Sequence, residues 1–136
     1  MKTEESVVDL ELQKTRYELY IEKLLCDVLL KQSALNRFCK NKKVYIYGYG
    51  HYGKKLEKFF YNEKIEIYAI VDKYKSEHNT FSKNGIKIIN KESIINDNEL
   101  VIIAIQDLLI ANQIKNELEN NHIRCITLED FLLRIL

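Results

Sequence analysis

The segment Gly48-Tyr49-Gly50-His51-Tyr52-Gly53 constrains this chain more than any other, because it gathers three of the four glycines into six residues. Glycine is what a backbone needs where φ is positive or where another group must come close. The run before it, Lys43-Val-Tyr-Ile-Tyr47, is β-branched and aromatic, as in a short strand. After it the apolar spacing becomes helical from Tyr52 to about Asn62, with Leu56, Phe59 and Phe60 on one side. Strand, glycine turn and helix in that order give each glycine a mechanical task. Gly48 permits the tight turn off the strand, Gly50 lets backbone approach a diphosphate, and Gly53 lets the helix pack close to the strand.

The rest of the chain supplies a frame for that unit. Residues from about Thr3 to Lys40 contain no Gly or Pro, and their apolar positions (Tyr17, Ile21, Leu24, Val28, Leu35, Phe38, widened by Leu25 and Leu29) recur at helical spacing. The spacing predicts one long helix, or two with a break near Lys31-Gln32-Ser33. Its stripe must be buried either on its own domain or on a partner helix in a homodimer or partner enzyme. Beyond the glycine segment, Ile65–Val71 reads as a second strand ending at Asp72. Lys73–Asn84 is polar and reads as a loop. Gly85–Ile89 is a third, weaker strand, and Glu92–Ile95 can form only a short helix, with Asn90 as its cap. Leu100–Ile105 is continuously apolar, as in a central parallel strand buried on both faces. Leu108–Asn121 is expected as an amphipathic helix with Leu109, Ile110, Ile114 and Leu118 inward. Ile123–Ile126 is a last strand, and Thr127 caps a final helix over Leu128–Ile135.

Alternation of this kind predicts an α/β fold: a Rossmann-like parallel sheet of about five strands with flanking helices, preceded by a long N-terminal helical segment. Residues 1–41 form the helical part and 42–136 the nucleotide-binding part. A length of 136 residues with 46% hydrophobic content suits one core, not two.

Composition excludes several classes. Net charge is +1 with a pI near 7.7, and the charges are mixed, so nothing calls for nucleic acid. No apolar run approaches the roughly 18–20 residues needed to span a bilayer. The start, Met1-Lys-Thr-Glu-Glu, lacks the pattern of a signal peptide. Cys26, Cys39 and Cys125 are odd in number and widely spaced, so no metal site and no disulfide framework are expected. Buried or partly buried thiols in the cytoplasm are the expectation.

The candidate site follows from the frame. Gly48, Tyr49, Gly50, His51, Tyr52 and Gly53 form the phosphate loop, with free N–H groups at the helix start facing the ligand. Asp72 lies 72 − 53 = 19 residues after Gly53, close to the roughly 20 expected of an acid that holds a ribose hydroxyl. The alternative is a solvated residue opening the loop. In the ribose role its charge would repel a 2′-phosphate, favouring NAD or a nucleotide-sugar over NADP, although Lys73 and Lys75 weaken that exclusion. His51 can donate to a phosphate or move a proton, or be a plain surface residue. Tyr49 and Tyr52 border the ligand, while Tyr45 and Tyr47 read as core. Gln106 and Asp107 follow the fourth strand and point toward the ligand crevice, with a helix cap as the other reading of Asp107. His78 and His122 read as surface residues. There is no GxxxxGK[ST] loop, no HExxH helix and no YxxxK pair.

The stretch from Lys43 to about Ile126 resembles the N-terminal nucleotide-binding domain of bacterial sugar O- and N-acyltransferases and related proteins of surface-polysaccharide synthesis. The resemblance rests on KVYIYGYGHYGKKLEKFF, IEIYAIVDKYK, GIKII and ESI…LVIIAI. It implies nucleotide contacts at Gly48, Gly50, Gly53 and Asp72. The acyltransferases' catalytic β-helix has no counterpart here. The pattern therefore favours a nucleotide-binding module, accessory to polysaccharide or sugar-nucleotide metabolism, over a complete enzyme. A small NAD-dependent oxidoreductase or epimerase completed by oligomerisation, and an interaction domain without a ligand, are the alternatives.

Overall fold

The computed structural model describes the backbone of residues 4–29, 32–78 and 81–136, and the side chains of 11–28, 33–77 and 81–136. Two helices open the chain, α1 (Glu4–Leu29) and α2 (Gln32–Cys39). Of the expected break near Lys31-Gln32-Ser33, Lys31 lies outside the described backbone and Gln32 and Ser33 begin α2, and the side chain of Leu29 lies outside the described set too. There follow β1 (Lys43–Tyr47), α3 (His51–Asn62), β2 (Ala69–Val71), α4 (Lys73–His78), β3 (Ile88–Ile89), a 3-10 turn (Lys91–Ser93), β4 (Glu99–Ile103), α5 (Leu108–Asn120), β5 (Cys125–Thr127) and α6 (Leu128–Ile135).

The strands form one parallel sheet in the order β3-β2-β1-β4-β5. The chain winds outward from β1 through β2 to β3, returns beside β1 as β4, and winds the other way. This is the doubly wound Rossmann-like order, and its switch point lies between β1 and β4, where ligands of such sheets sit. β4 is buried at every position, as its unbroken apolar run requires between two neighbours and two covering layers.

Side-chain alternation sends Val44 and Ile46 of β1 to one face and Tyr45 to the other. The first face is covered by α1, α2, α3 and α6, and the second by α5. Ile21, Leu24, Leu25 and Val28 are buried in the first cluster with Phe131 and Leu132 of α6. The ring of Phe131 meets Phe38 of α2 edge-on at 5.5 Å and Phe60 of α3 at 6.1 Å. The stripe Ile21–Val28 therefore packs on its own chain.

Several sequence expectations are corrected. β2 begins at Ala69, not Ile65, and β3 is reduced to two residues. The segment expected as loop after Asp72 starts as α4, because Asp72 accepts backbone N–H groups of Lys75 and Ser76 and so caps a helical turn. Asn90 precedes the 3-10 turn, but its side chain caps no backbone N–H; it accepts from the Ser93 hydroxyl. On α5, Leu109 and Ile110 are 69% and 46% exposed, and Ala111 and Leu118 are the buried residues. The cap at Asp107 holds the first turn of α5, which no layer of the described residues covers. Cys26 is exposed, contrary to the expectation for the three thiols, whereas Cys39 is buried and Cys125 half-buried. Thr127 caps α6 as expected, accepting from the N–H of Asp130 at 3.3 Å.

Candidate functional site

The glycine segment lies at the carboxyl end of β1, beside the switch point. Gly48 has φ +102°, a conformation that L side chains rarely adopt, and a Cβ there would lie 2.5 Å from Ile105 Cδ1. Its N–H donates to the Val71 carbonyl at 2.7 Å, extending the β1–β2 ladder into the turn. Gly53 faces Gly48 across the turn: a Cβ on Gly53 would sit 1.9 Å from the Gly48 carbonyl oxygen. Gly50 differs from both. It is the N-cap of α3, and a Cβ on it would meet nothing within 4 Å. Two of the glycines thus serve the fold, and one leaves open space in front of a helix.

That helix end has no side-chain cap. The first-turn N–H groups of a helix have no partner within it and carry the positive end of its dipole. Elsewhere the chain caps such ends: Asp107 accepts from Leu109 and Ile110 at the start of α5, and Thr127 does so at α6. The start of α3 is therefore a donor cluster beside open space, suited to an anion.

Asp72 directly follows β2, and both carboxylate oxygens accept backbone N–H groups: Oδ2 from Tyr49 at 2.9 Å and Oδ1 from Lys75 at 2.9 Å. The residue clasps the glycine loop to the start of α4. Of the two neighbouring lysines, Lys73 lines a cleft of about 370 Å³ at the ends of β1, β2 and β3, with Tyr47, Val71 and Asn90. Lys75 lines a different cleft of about 720 Å³, between α3 and residues 81–88.

Tyr49 lines the cleft between α3 and residues 81–88. Its ring is buried, and its hydroxyl donates to Glu57 Oε1 at 2.7 Å. The other oxygen of Glu57 accepts from the Ser82 hydroxyl, which in turn accepts from the N–H of Ile86. Glu57, only 3% exposed, thus ties the glycine loop, α3 and the hairpin around Phe81–Lys87 together. Burial, and then the hydrogen bond to Glu57, push the Tyr49 hydroxyl up to about 12. Glu57 belongs to no motif that the sequence displays. The available signal was a carboxylate on the inward side of α3, level with Gly53 and Phe60.

The long helix also reaches the loop. Glu22 of α1 accepts from Lys55 Nζ at 2.6 Å and lies 3.7 Å from His51 Nε2. The Lys55 hydrogen bond is the main reason that the Glu22 carboxyl is held below the usual carboxylate range. His51 is exposed beside the helix start, with Glu22 as its acidic neighbour. Gln106 is exposed on a cleft of about 590 Å³ that it shares with Gln13, Lys14, Tyr17, Asp107 and Leu108, so α1 forms one wall of the crevice on the β4 side. Asp107 is the α5 cap. His122 is exposed, and the side chain of His78 lies outside the described set.

Tyr52, the second residue of α3, is 2% exposed, and its hydroxyl has no hydrogen-bond partner among the described residues. Burial, with Glu18 and Glu22 nearby, pushes it up to about 12. A folded-state value above the unfolded one means that this stabilisation is present below pH 10 and is lost as pH rises from about 10 to 12. Tyr52→Phe is expected to raise stability at pH 7 by about 1 kcal/mol, since an unpaired hydroxyl is removed, and to reduce the alkaline loss. Urea melts at pH 7 and pH 10.5 check this; a variant less stable at pH 7 by more than about 1 kcal/mol would show that the hydroxyl has a partner.

Among the described residues no helix is long and apolar enough to cross a membrane, and no group of three or more His, Cys, Asp or Glu could hold a metal ion. Fold and loop together define a Rossmann-like domain with a glycine-rich βα turn at its switch point. Residues 38–128, more than half of the chain, match the family model described as acetohydroxy acid isomeroreductase, NADPH-binding domain, and the chain belongs to that family. Neither a curated protein nor a solved structure matches it. The pattern read above as resembling the sugar acyltransferase domain is thus shown at the level of a Rossmann-like domain, and the family shown is the isomeroreductase one.

Proposed function

We propose that this chain binds a nicotinamide dinucleotide, with its diphosphate at the start of α3 between Gly48 and Gly53. The observation that carries the reading is the uncapped α3 N-terminus facing the open space at Gly50, at the switch point of the sheet. Backbone N–H groups of residues 50–53 hold the diphosphate, and His51 adds a donor. The adenosine end takes the cleft at the ends of β2 and β3, and the nicotinamide end takes the crevice bordered by Gln106.

NADPH is the favoured form. The relevant family is described by that cofactor. The Asp72 carboxylate is also engaged by two backbone N–H groups, and Lys73 lines the cleft beside it. The repulsion expected between Asp72 and a 2′-phosphate is thereby weakened, and Lys73 supplies the opposite charge. A role in surface-polysaccharide synthesis with a nucleotide-sugar ligand rests on sequence resemblance alone.

Thermal shift and calorimetry with the full chain test the proposal. At a hundredfold excess over Kd, ligand binding adds about 2.7 kcal/mol to the folded state, roughly 8–10 °C in Tm for a domain of this size. NADPH is expected to give that shift, NADH a smaller one, and UDP-sugars none. No shift with either nicotinamide at millimolar concentration, or a larger one with a UDP-sugar, would sink the proposal.

A further inference from the structure

The outer side of α1 carries a stripe that the domain does not bury. Ile21, Leu24, Leu25 and Val28 face the core, whereas Leu12, Leu19 and Cys26 recur every seven residues on the opposite side. Leu12 is 46% exposed, Leu19 60%, and Cys26 is exposed. A seven-residue repeat lines up along a helix when that helix winds against another.

The charges beside the stripe are sorted by flank. Glu11 and Glu18 each precede a stripe leucine by one residue, and Arg16 and Lys23 each follow one by four. In a parallel pair of helices, the residue before one layer meets the partner's residue five positions further on. Glu11 then faces Arg16 of the other copy, and Glu18 faces Lys23, on both sides of the seam. In an antiparallel pair like flanks meet, setting Glu against Glu and Arg against Lys. Thr15 and Glu22 fall at the alternate heptad positions, and the Glu22 carboxylate is turned onto Lys55 of its own chain, so each heptad has one apolar layer and the contact is weak and reversible.

We propose that the outer face of α1 docks a second copy of this chain, parallel and in register on Leu12, Leu19 and Cys26. The in-register arrangement places Cys26 beside Cys26 of the second copy, whereas the antiparallel arrangement that keeps all three stripe residues in contact, centred on Leu19, sets Cys26 against Leu12.

Sedimentation of the full chain and copper-phenanthroline crosslinking test this. The average mass is expected to rise from 16.2 kDa toward twice that value as concentration reaches on the order of 100 µM. Oxidation is expected to give a dimer that reductant reverses and that Cys26→Ser abolishes. Leu19→Lys, a change at an exposed position, is expected to weaken dimerisation about tenfold or more with Tm unchanged. Arg16→Glu with Lys23→Glu does the same, and mixing that variant with Glu11→Lys/Glu18→Lys restores the dimer. A monomer at every concentration overturns the proposal. So does a dimer that Leu19→Lys leaves intact, or one that forms without a Cys26 crosslink.

Discussion

Gly53→Ala is expected to destabilise the domain by about 3 kcal/mol or more and to abolish nucleotide binding with it. The added Cβ would lie 1.9 Å from the carbonyl oxygen and 2.8 Å from the carbonyl carbon of Gly48. Both are backbone atoms, and no side chain can swing away to relieve the overlap. Either the start of α3 moves off β1 or the turn at Gly48 opens. Ile46, Leu56 and Phe60, all fully buried around that junction, would lose contacts in either case. Gly50→Ala provides the contrast. Its Cβ meets nothing within 4 Å, so stability should fall by less than about 1 kcal/mol, while the methyl group would stand in the proposed diphosphate site. A fall of about tenfold or more in NADPH affinity with a nearly unchanged melting curve is expected. Denaturant melts and calorimetry on the two variants check both results. Wild-type affinity in Gly50→Ala would move the diphosphate away from this loop.

Asp72→Ala is expected to cost about 2–3 kcal/mol, since two backbone N–H groups lose a charged acceptor. Both bonds are 2.9 Å long, and they join the glycine loop to α4. Hydrogen exchange should therefore accelerate at Tyr49 and Lys75 together. Because the residue acts here through the loop's backbone, NADH and NADPH should weaken by a similar factor, about fivefold or more. Lys73→Glu should instead weaken NADPH selectively, by about tenfold relative to NADH, if the 2′-phosphate lies in the cleft that Lys73 lines. A tenfold gain in NADPH preference on Asp72→Asn would show that the carboxylate faces the ribose, not the backbone. The two substitutions separate a residue that shapes the loop from one that touches the cofactor.

The order of elements was legible because its signals are local. The period change at Lys43, the glycine cluster and the unbroken run Leu100–Ile105 each report on a few adjacent residues. β1, α3, β4 and α6 accordingly lie within a residue or two of their expected bounds. The edge of the sheet was not legible. Ile65–Tyr68 has strand composition, but the β2–β1 pairing begins at Ala69 opposite Tyr45, and β3 offers β2 only two residues. Leu109 and Ile110 have inward periodicity, yet no layer of the described residues extends far enough to cover them.

The glycine loop itself divides the same way. Its place between a strand and a helix, and the distance to Asp72, follow from sequence alone, because glycine spacing and hydrophobic period act within one βα unit. Which partners the loop has was decided by tertiary structure. Asp72 turns into the backbone of Tyr49 from 23 residues away, and Glu22 reaches Lys55 across 33 residues. Glu57 is buried against Ser82, and Gly53 is forced to be glycine by the carbonyl of Gly48. These are contacts between segments whose separation in the chain leaves no periodic trace. They exist because the parallel sheet brings the ends of β1 and β2 together and because α1 packs across the start of α3.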